Sequence, residues 1–240
     1  MVMFEKVSLF DYDVYSGTRA ALVEEIGKDI SQGKCNVVFA INPLKVILAN
    51  DDISIKKVLQ DADILIPDGA GILYSAKRKK HHIKERITGI DLMNDICGLA
   101  ADIKAPIFIY GAVQENLEHA VKNLEKIYPD IKIAGYINGY EKDISYVNRL
   151  INESGARILF VACGSPMQEK YIYDNKSELR NVNFFLGVGG SIDVMSGNVK
   201  RAPGWIRRIN MEWLYRAVLQ PKRFSNLKKL IKFFCFSHKF

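Results

Sequence analysis

The chain has 240 residues, 48% of them hydrophobic, and a formal net charge of +7, enough for one large domain with a substantial core. No run approaches the ~20 uninterrupted apolar residues that cross a bilayer. The opening MVMFEKVSLFDYDVYSG lacks the basic leader and apolar run of a secretory signal. Cys35, Cys97, Cys163 and Cys235 are scattered, with no CxxC pair and no histidine at zinc spacing. They read as reduced thiols of a cytoplasmic protein, three of them expected in the core. The charge is unevenly placed. Residues 201–240 hold ten Lys/Arg and one acid, Glu212, whereas the first 200 hold 24 basic and 26 acidic side chains. A near-neutral body carries a basic tail.

In chain order, a helical period at 18–31 precedes an apolar strand at 35–41 (CNVVFAI). A second helical stretch, 43–60, allows a break, and the strand 63–66 (DILI) follows. Helical periods at 69–78 and 89–101 lead to strand 106–110 (PIFIY), then helix 113–127 and strand 131–136 (IKIAGY). Helix 142–153, strand 157–162 (RILFVA), helix 167–179 and strand 183–188 (NFFLGV) complete the series. The strands are almost wholly apolar rather than alternating, the pattern of strands buried on both faces. Strand and helix alternate throughout, which predicts an α/β fold: a mostly parallel sheet of about six strands flanked by helices. No repeat or linker divides residues 1–195, so one α/β domain is expected there, with a helical appendage at 196–240.

In such a sheet ligands bind beyond the carboxyl ends of the strands, where helix N-termini present free N–H groups. The segments after the six strands are INPLK, PDGAG, GAVQEN, INGYEKD, CGSPMQEK and GGSIDVMSG. Glycines there, among them Gly69, Gly111, Gly164 and Gly190, let backbone approach a ligand, although each alone also serves a tight turn. No GxGxxG follows the first strand and no GxxxxGK[ST] occurs, so neither a dinucleotide fingerprint nor a P-loop is present. Gly164, Ser165 and Pro166 form a strand-to-helix turn in which serine is a natural cap and proline a natural first residue. The same turn can offer amides to a diphosphate, with Gln168 placed to bond a base or sugar.

Asp61-Ala62-Asp63 spells DxD, but it precedes its strand and belongs to the amino edge, as a turn. His81-His82 point apart and have no third partner nearby, so no metal is expected. Asp68 stands at the carboxyl end of a buried strand between Pro67 and Gly69. Its bland role is an N-cap or Asx-turn; its sharper one is a general base. Arg86, just before a helix capped by Thr88, is either a surface ion-pair partner or a phosphate clamp.

The tail reads GWIRRINMEWLYRAVLQPKRFSNLKKLIKFFCFSHKF, two helices interrupted at Pro221. Lys and Arg share its surface with Trp, Phe, Leu and Ile, the composition of a helix in a membrane interface. For 205–219 packing on the sheet is at least as good a reading; for 224–240 membrane contact is favoured. The tail matches no nucleic-acid module. Oligomeric state stays open, because the tail can pack on its own domain, on a second copy or in lipid.

Taken together, NPLKVILA, ADILIPDGAGI, ERITGIDL, IYGA, GSPMQEKYI, GVGGSIDVMSGNVKRAP and EWLYRAVLQPKR resemble the WecG/TagA/CpsF glycosyltransferases, over about residues 35–225. The resemblance implies a Rossmann-like fold distinct from the two commonest glycosyltransferase folds. It implies inverting, metal-independent transfer of a sugar, most readily N-acetylmannosamine, from a UDP-sugar to a saccharide on polyprenyl diphosphate. Wall teichoic acid linkage units and related surface polymers are made this way. Asp68 matches the family's proposed base, Arg86 its phosphate-contacting arginine and Gln168 its GSPxQE glutamine. Gly111, Gly164 and Asp193 fall in loops expected around the nucleotide, and Asn42, Gly69, Thr88, Pro166 and Gly190 lie in the same motifs.

The resemblance also implies that the appendage docks on the anionic inner face of the cell membrane. There Arg216 and Arg223 reach the diphosphate, on a helix held by Trp205 and Trp213. One departure concerns Ala40, where the family often carries threonine, so its hydroxyl is missing here while Asn42 remains. A non-catalytic, membrane-docked binder of nucleotide sugar or lipid phosphate is the alternative reading. A nicotinamide oxidoreductase is disfavoured by the absent glycine fingerprint.

Overall fold

The computed structural model describes residues 4–208, 212, 215 and 225–239. Its strands are β1 (Lys6–Leu9), β2 (Tyr12–Tyr15), β3 (Asn36–Ile41), β4 (Ile64–Pro67), β5 (Ile107–Gly111), β6 (Ile133–Ile137), β7 (Ile158–Ala162) and β8 (Phe184–Gly187). They form one sheet in the order β1-β2-β4-β3-β8-β7-β5-β6, antiparallel only between β1 and β2. The helices of the body are α1 (Arg19–Ser31), α2 (Pro43–Asp51), α3 (Ile53–Gln60), α4 (Ala70–Arg78), α5 (Gly89–Asp102), α6 (Gln114–Ile127), α7 (Ile144–Ser154), α8 (Met167–Asn175) and α9 (Ser191–Met195). Then come α10 (Gly204–Arg208) and a C-terminal helix, Ser225–Lys239.

The two-residue period of a strand explains the layers. Along β3, Val37, Phe39 and Ile41 enter one core with side chains of α2, α3, α4, α7 and α8. Val38 and Ala40 enter the other, with side chains of α1, α5 and α6. Every residue of β3, β4, β5, β7 and β8 is buried. β6 departs from the expectation of two covered faces: it is the sheet edge, and none of its residues is fully buried. The break allowed in 43–60 falls at Asp52, which ends α2 and caps α3 by accepting from the Ser54 amide at 2.9 Å.

The sheet has eight strands where about six were expected. The missed pair, β1 and β2, turns through Phe10 and Asp11, at φ 56° and 63°. That left-handed conformation is usually signalled by Gly or Asn, and here tertiary packing supports it. Phe10 is buried against Phe233 and Phe236 of the C-terminal helix, ring centroids 5.5 and 5.8 Å away. The expectation of three core cysteines also fails. Cys97 is buried and Cys163 half-buried, while Cys35 and Cys235 are exposed.

The C-terminal helix is amphipathic in a way that settles part of its reading. Phe233 and Ser237 are buried on the body, and Gly71 makes room for the Phe233 ring, which a Cβ there would meet at 2.9 Å. Lys232 pairs with Asp51 at 2.6 Å, and Arg78 donates to the Ser237 carbonyl at 2.6 Å. One face therefore packs on the domain, while Ile231 (60% exposed) and Phe234 (46%) remain on the surface with Lys228, Lys229 and Lys232. Trp205 does not anchor the appendage, being 65% exposed. Trp213, Arg216 and Arg223 lie outside the described residues. Truncating the buried anchor, Phe233→Ala, should lower stability by about 3 kcal/mol, measured as a shift in the urea midpoint with unchanged slope.

Candidate functional site

Four loops meet where β4, β3, β8 and β7 end side by side. Asp68 follows β4, half-buried, with its amide donating to the Ile41 carbonyl at 2.9 Å. This ties the PDG turn to the end of β3. The N-cap of the next helix, α4, is Gly69 at φ 94°, and no side chain caps it. Asp68 is therefore not the N-cap residue of that helix. Gly69 is required here by backbone conformation and by Pro43, whose Cδ a Cβ would meet at 3.3 Å.

The strip carrying Arg86 lies alongside, because the Ile87 amide donates to the Pro67 carbonyl at 3.0 Å. Arg86 is largely buried, and its Nη2 lies 3.6 Å from Glu212 Oε2 of the appendage. Thr88 caps α5 as expected. Its hydroxyl accepts from the Asp91 amide (3.2 Å) and donates to Asp91 Oδ2 (2.6 Å). Buried and doubly bonded, that hydroxyl serves the helix start rather than presenting itself to a ligand. Asp91 also pairs with Arg201 at 2.7 Å. Burial pushes the Asp91 carboxyl up, but the Thr88 bond and Arg201 outweigh this, and it lies below the usual range.

Between these loops sits a buried ion pair. Lys45 Nζ, in the first turn of α2, is 2.6 Å from Glu169 Oε1, in the first turn of α8. Lys45 is held locally by its amide, which donates to Asn42 Oδ1 at 3.0 Å, so Asn42 caps α2. Glu169 is 1% exposed. Burial raises its carboxyl, but the Lys45 charge and hydrogen bonds from Lys45 and Gln168 prevail and hold it below the ordinary value. Gln168, 3% exposed, donates to Glu169 Oε1 and accepts from the Gly189 amide, both at 2.9 Å. Its amide thus joins the loops after β7 and β8. Ser165 is not the cap of α8: the N-cap is Pro166, with no side-chain cap bond.

The remaining candidates sit around this centre. Gly164, at φ 78°, has open space where a Cβ would lie. Gly111, at φ 123°, is required by a neighbouring strand, since a Cβ would stand 2.4 Å from the Ala162 carbonyl carbon. Asp193 accepts from Asn116 at 2.6 Å, fastening α9 to α6, and Gly190 is the N-cap of α9. Ala40 is buried within β3.

Asp61 and Asp63 lie at the opposite edge, where Asp63 accepts from the Val37 amide at 2.7 Å and Asp61 pairs with Lys176. Among the described residues no group of three or more His, Cys, Asp or Glu is placed to hold a metal, and no helix is long and apolar enough to cross a membrane. Sequence reasoning missed Lys45, Glu169, Asp91 and Arg201. A signal existed for the first: Lys45 interrupts the apolar run PLKVILA, where only a paired cation can be buried.

Asp68, Arg86 and the Lys45–Glu169 pair thus gather at the carboxyl edge of a mostly parallel α/β sheet, the edge at which such sheets bind ligands. The chain belongs to the glycosyl transferase WecG/TagA/CpsF family, whose model matches residues 7–239. It is 37% identical over 197 residues to the N-acetylglucosaminyldiphosphoundecaprenol N-acetyl-beta-D-mannosaminyltransferase of Bacillus subtilis (strain 168), covering 82% of this chain and 77% of that protein. The enzyme of the same name from Bacillus spizizenii is 34% identical over 204 residues, 85% and 79% of the two chains. That from Staphylococcus aureus (strain NCTC 8325) is 30% identical over 227 residues, 94% and 89%.

The Glu169 carboxyl gives the site a pH signature. Its folded value lies below the ordinary 4.5, so near that pH the unfolded chain binds more protons and stability rises with pH. The contribution is complete above about pH 4.5 and disappears as pH falls through the lower folded value. Glu169→Gln, which strands a buried charge on Lys45, should cost about 3 kcal/mol at neutral pH. Urea midpoints of that variant should also fall less than those of the wild type between about pH 5 and pH 3.

Proposed function

We propose that this chain moves an N-acetylmannosamine-type sugar from a UDP-sugar to N-acetylglucosamine carried on polyprenyl diphosphate. The product class is a lipid-linked intermediate of wall teichoic acid or a related surface polymer. The activities for which the three relatives are named support the donor sugar and the acceptor. The observation that carries the chemistry is Asp68: a carboxylate at the carboxyl end of β4, anchored through its amide, beside the Arg86 strip, and no cap to α4.

In this reading UDP-sugar lies along the carboxyl edge, and Asp68 takes the proton from the acceptor hydroxyl as that oxygen attacks the anomeric carbon. The bond to the UDP oxygen breaks on the opposite face, inverting the configuration. Developing charge on the leaving diphosphate is met by backbone amides near Gly164 and Gly190 and by Arg86, with Arg216 and Arg223 supplied from the appendage; such fixed donors are usually the largest catalytic factor. No resident metal is required by this scheme. Asn42, Gln168, Thr88 and Asp193 shape the loops around the nucleotide more than they contact it.

Membrane docking at the inner face of the cell membrane completes the proposal. Lys228 and Lys229 share the surface with the exposed Ile231 and Phe234 on the C-terminal helix, and each basic side chain near anionic lipid contributes about 1 kcal/mol. The paired substitutions Ile231→Glu and Phe234→Glu should abolish sedimentation with phosphatidylglycerol vesicles without altering the urea midpoint; retained binding would refute this surface.

The catalytic assignment is tested with Asp68→Asn, which keeps the shape and removes the base. Turnover, followed as UDP release with a short-chain lipid-diphosphate acceptor, should fall by about 10²–10⁴-fold. Near-wild-type turnover in a folded Asp68→Asn protein would end the assignment.

A further inference from the structure

We infer that Lys45 and Glu169 are positioning residues for the transfer, acting through Gln168 and the Gly189 amide; the inference rests on the function proposed above. The ion pair spans loops after β3 and β7, and the Gln168–Gly189 bond extends it to β8. These are three adjacent strands of the sheet. One carboxylate oxygen, Glu169 Oε1, receives both Lys45 Nζ and Gln168 Nε2. That double reception decides which way round the Gln168 amide sits. With Nε2 held by the carboxylate, Oε1 is left to accept from Gly189, at φ 50°.

The site has little slack around this arrangement. A Cβ on Gly187 would stand 2.6 Å from Gln168 Nε2, so the amide is packed against the end of β8. Asn42 fixes the other end of the chain by capping the turn that carries Lys45. Loss of the cation would leave Glu169 as an unpaired buried carboxylate, which takes up a proton or rearranges. Either change removes the reason for the amide's orientation. The Gly189–Gly190 turn, which leads into α9 and Asp193, then loses its tether.

A buried ion pair can also be merely structural, with no bearing on turnover, and the test separates the two. Lys45→Met and Lys45→Arg are compared with the wild type for kcat, donor KM and hydrogen exchange of residues 187–190. Expected for Lys45→Met is a fall in kcat of about 10–10²-fold, donor KM within about threefold, and faster exchange at 187–190 alone. Lys45→Arg, which keeps the charge, should recover most of both.

A folded Lys45→Met protein with wild-type kcat, or with its loss confined to the urea midpoint, overturns the inference. So does a Lys45→Arg protein as impaired as Lys45→Met. Should Lys45→Met fail to fold, Glu169→Gln is read by the same two measurements and the same criteria. If the wild type transfers sugar from no donor, the proposed function fails. Exchange still judges the ion pair's part in that case, and unchanged protection at 187–190 in the variants would overturn it.

Discussion

The organising constraint is that five parallel strands are buried on both faces, leaving ionised groups only the two ends of the sheet. Charged groups near the strands sit at their ends and are hydrogen-bonded or paired there. At the amino edge, exposed Asp63 accepts from the Val37 amide and buried Asp29 accepts from the Asn36 side chain. At the carboxyl edge, Lys45 and Glu169 take each other. A sheet of this kind sorts its carboxylates by which end of a strand they occupy. The two aspartates of DxD and the aspartate of PDG sit within one short stretch of sequence, yet they belong to opposite sides of the molecule.

That sorting narrows the chemistry. Several polar side chains at the carboxyl edge hold the loops themselves: Asn42 and Thr88 start helices, Gln168 joins two turns and Asp193 fastens α9. Such groups fix the shape of a pocket. Asp68 is seated differently, through its own amide on the Ile41 carbonyl at the end of β3.

Much of the fold was legible because parallel strands covered on both faces leave unbroken apolar runs, and glycine, proline and capping residues punctuate the helices between them. β1 and β2 were not legible, because their turn uses Phe10 and Asp11 in a conformation supported by distant packing. The same limit hid the ion pair: Lys45 and Glu169 are far apart in sequence, and only the adjacency of β3, β8 and β7 brings them together. Asp68 and Arg86 could be named as candidates because each lies inside a compact local motif. The tail's two faces could not be separated from composition, since only packing on the body distinguishes buried Phe233 from exposed Ile231 and Phe234.

The hairpin turn ties the order of assembly to the far end of the chain. Two consecutive non-glycine residues in left-handed geometry are costly, on the order of 1 kcal/mol or more each, and the packing that offsets this comes from Phe233 and Phe236. Contacts so distant in sequence form late. The β1–β2 turn gains this support only once the C-terminal helix packs on the body. One edge of the sheet is thus held by packing from the C-terminal helix.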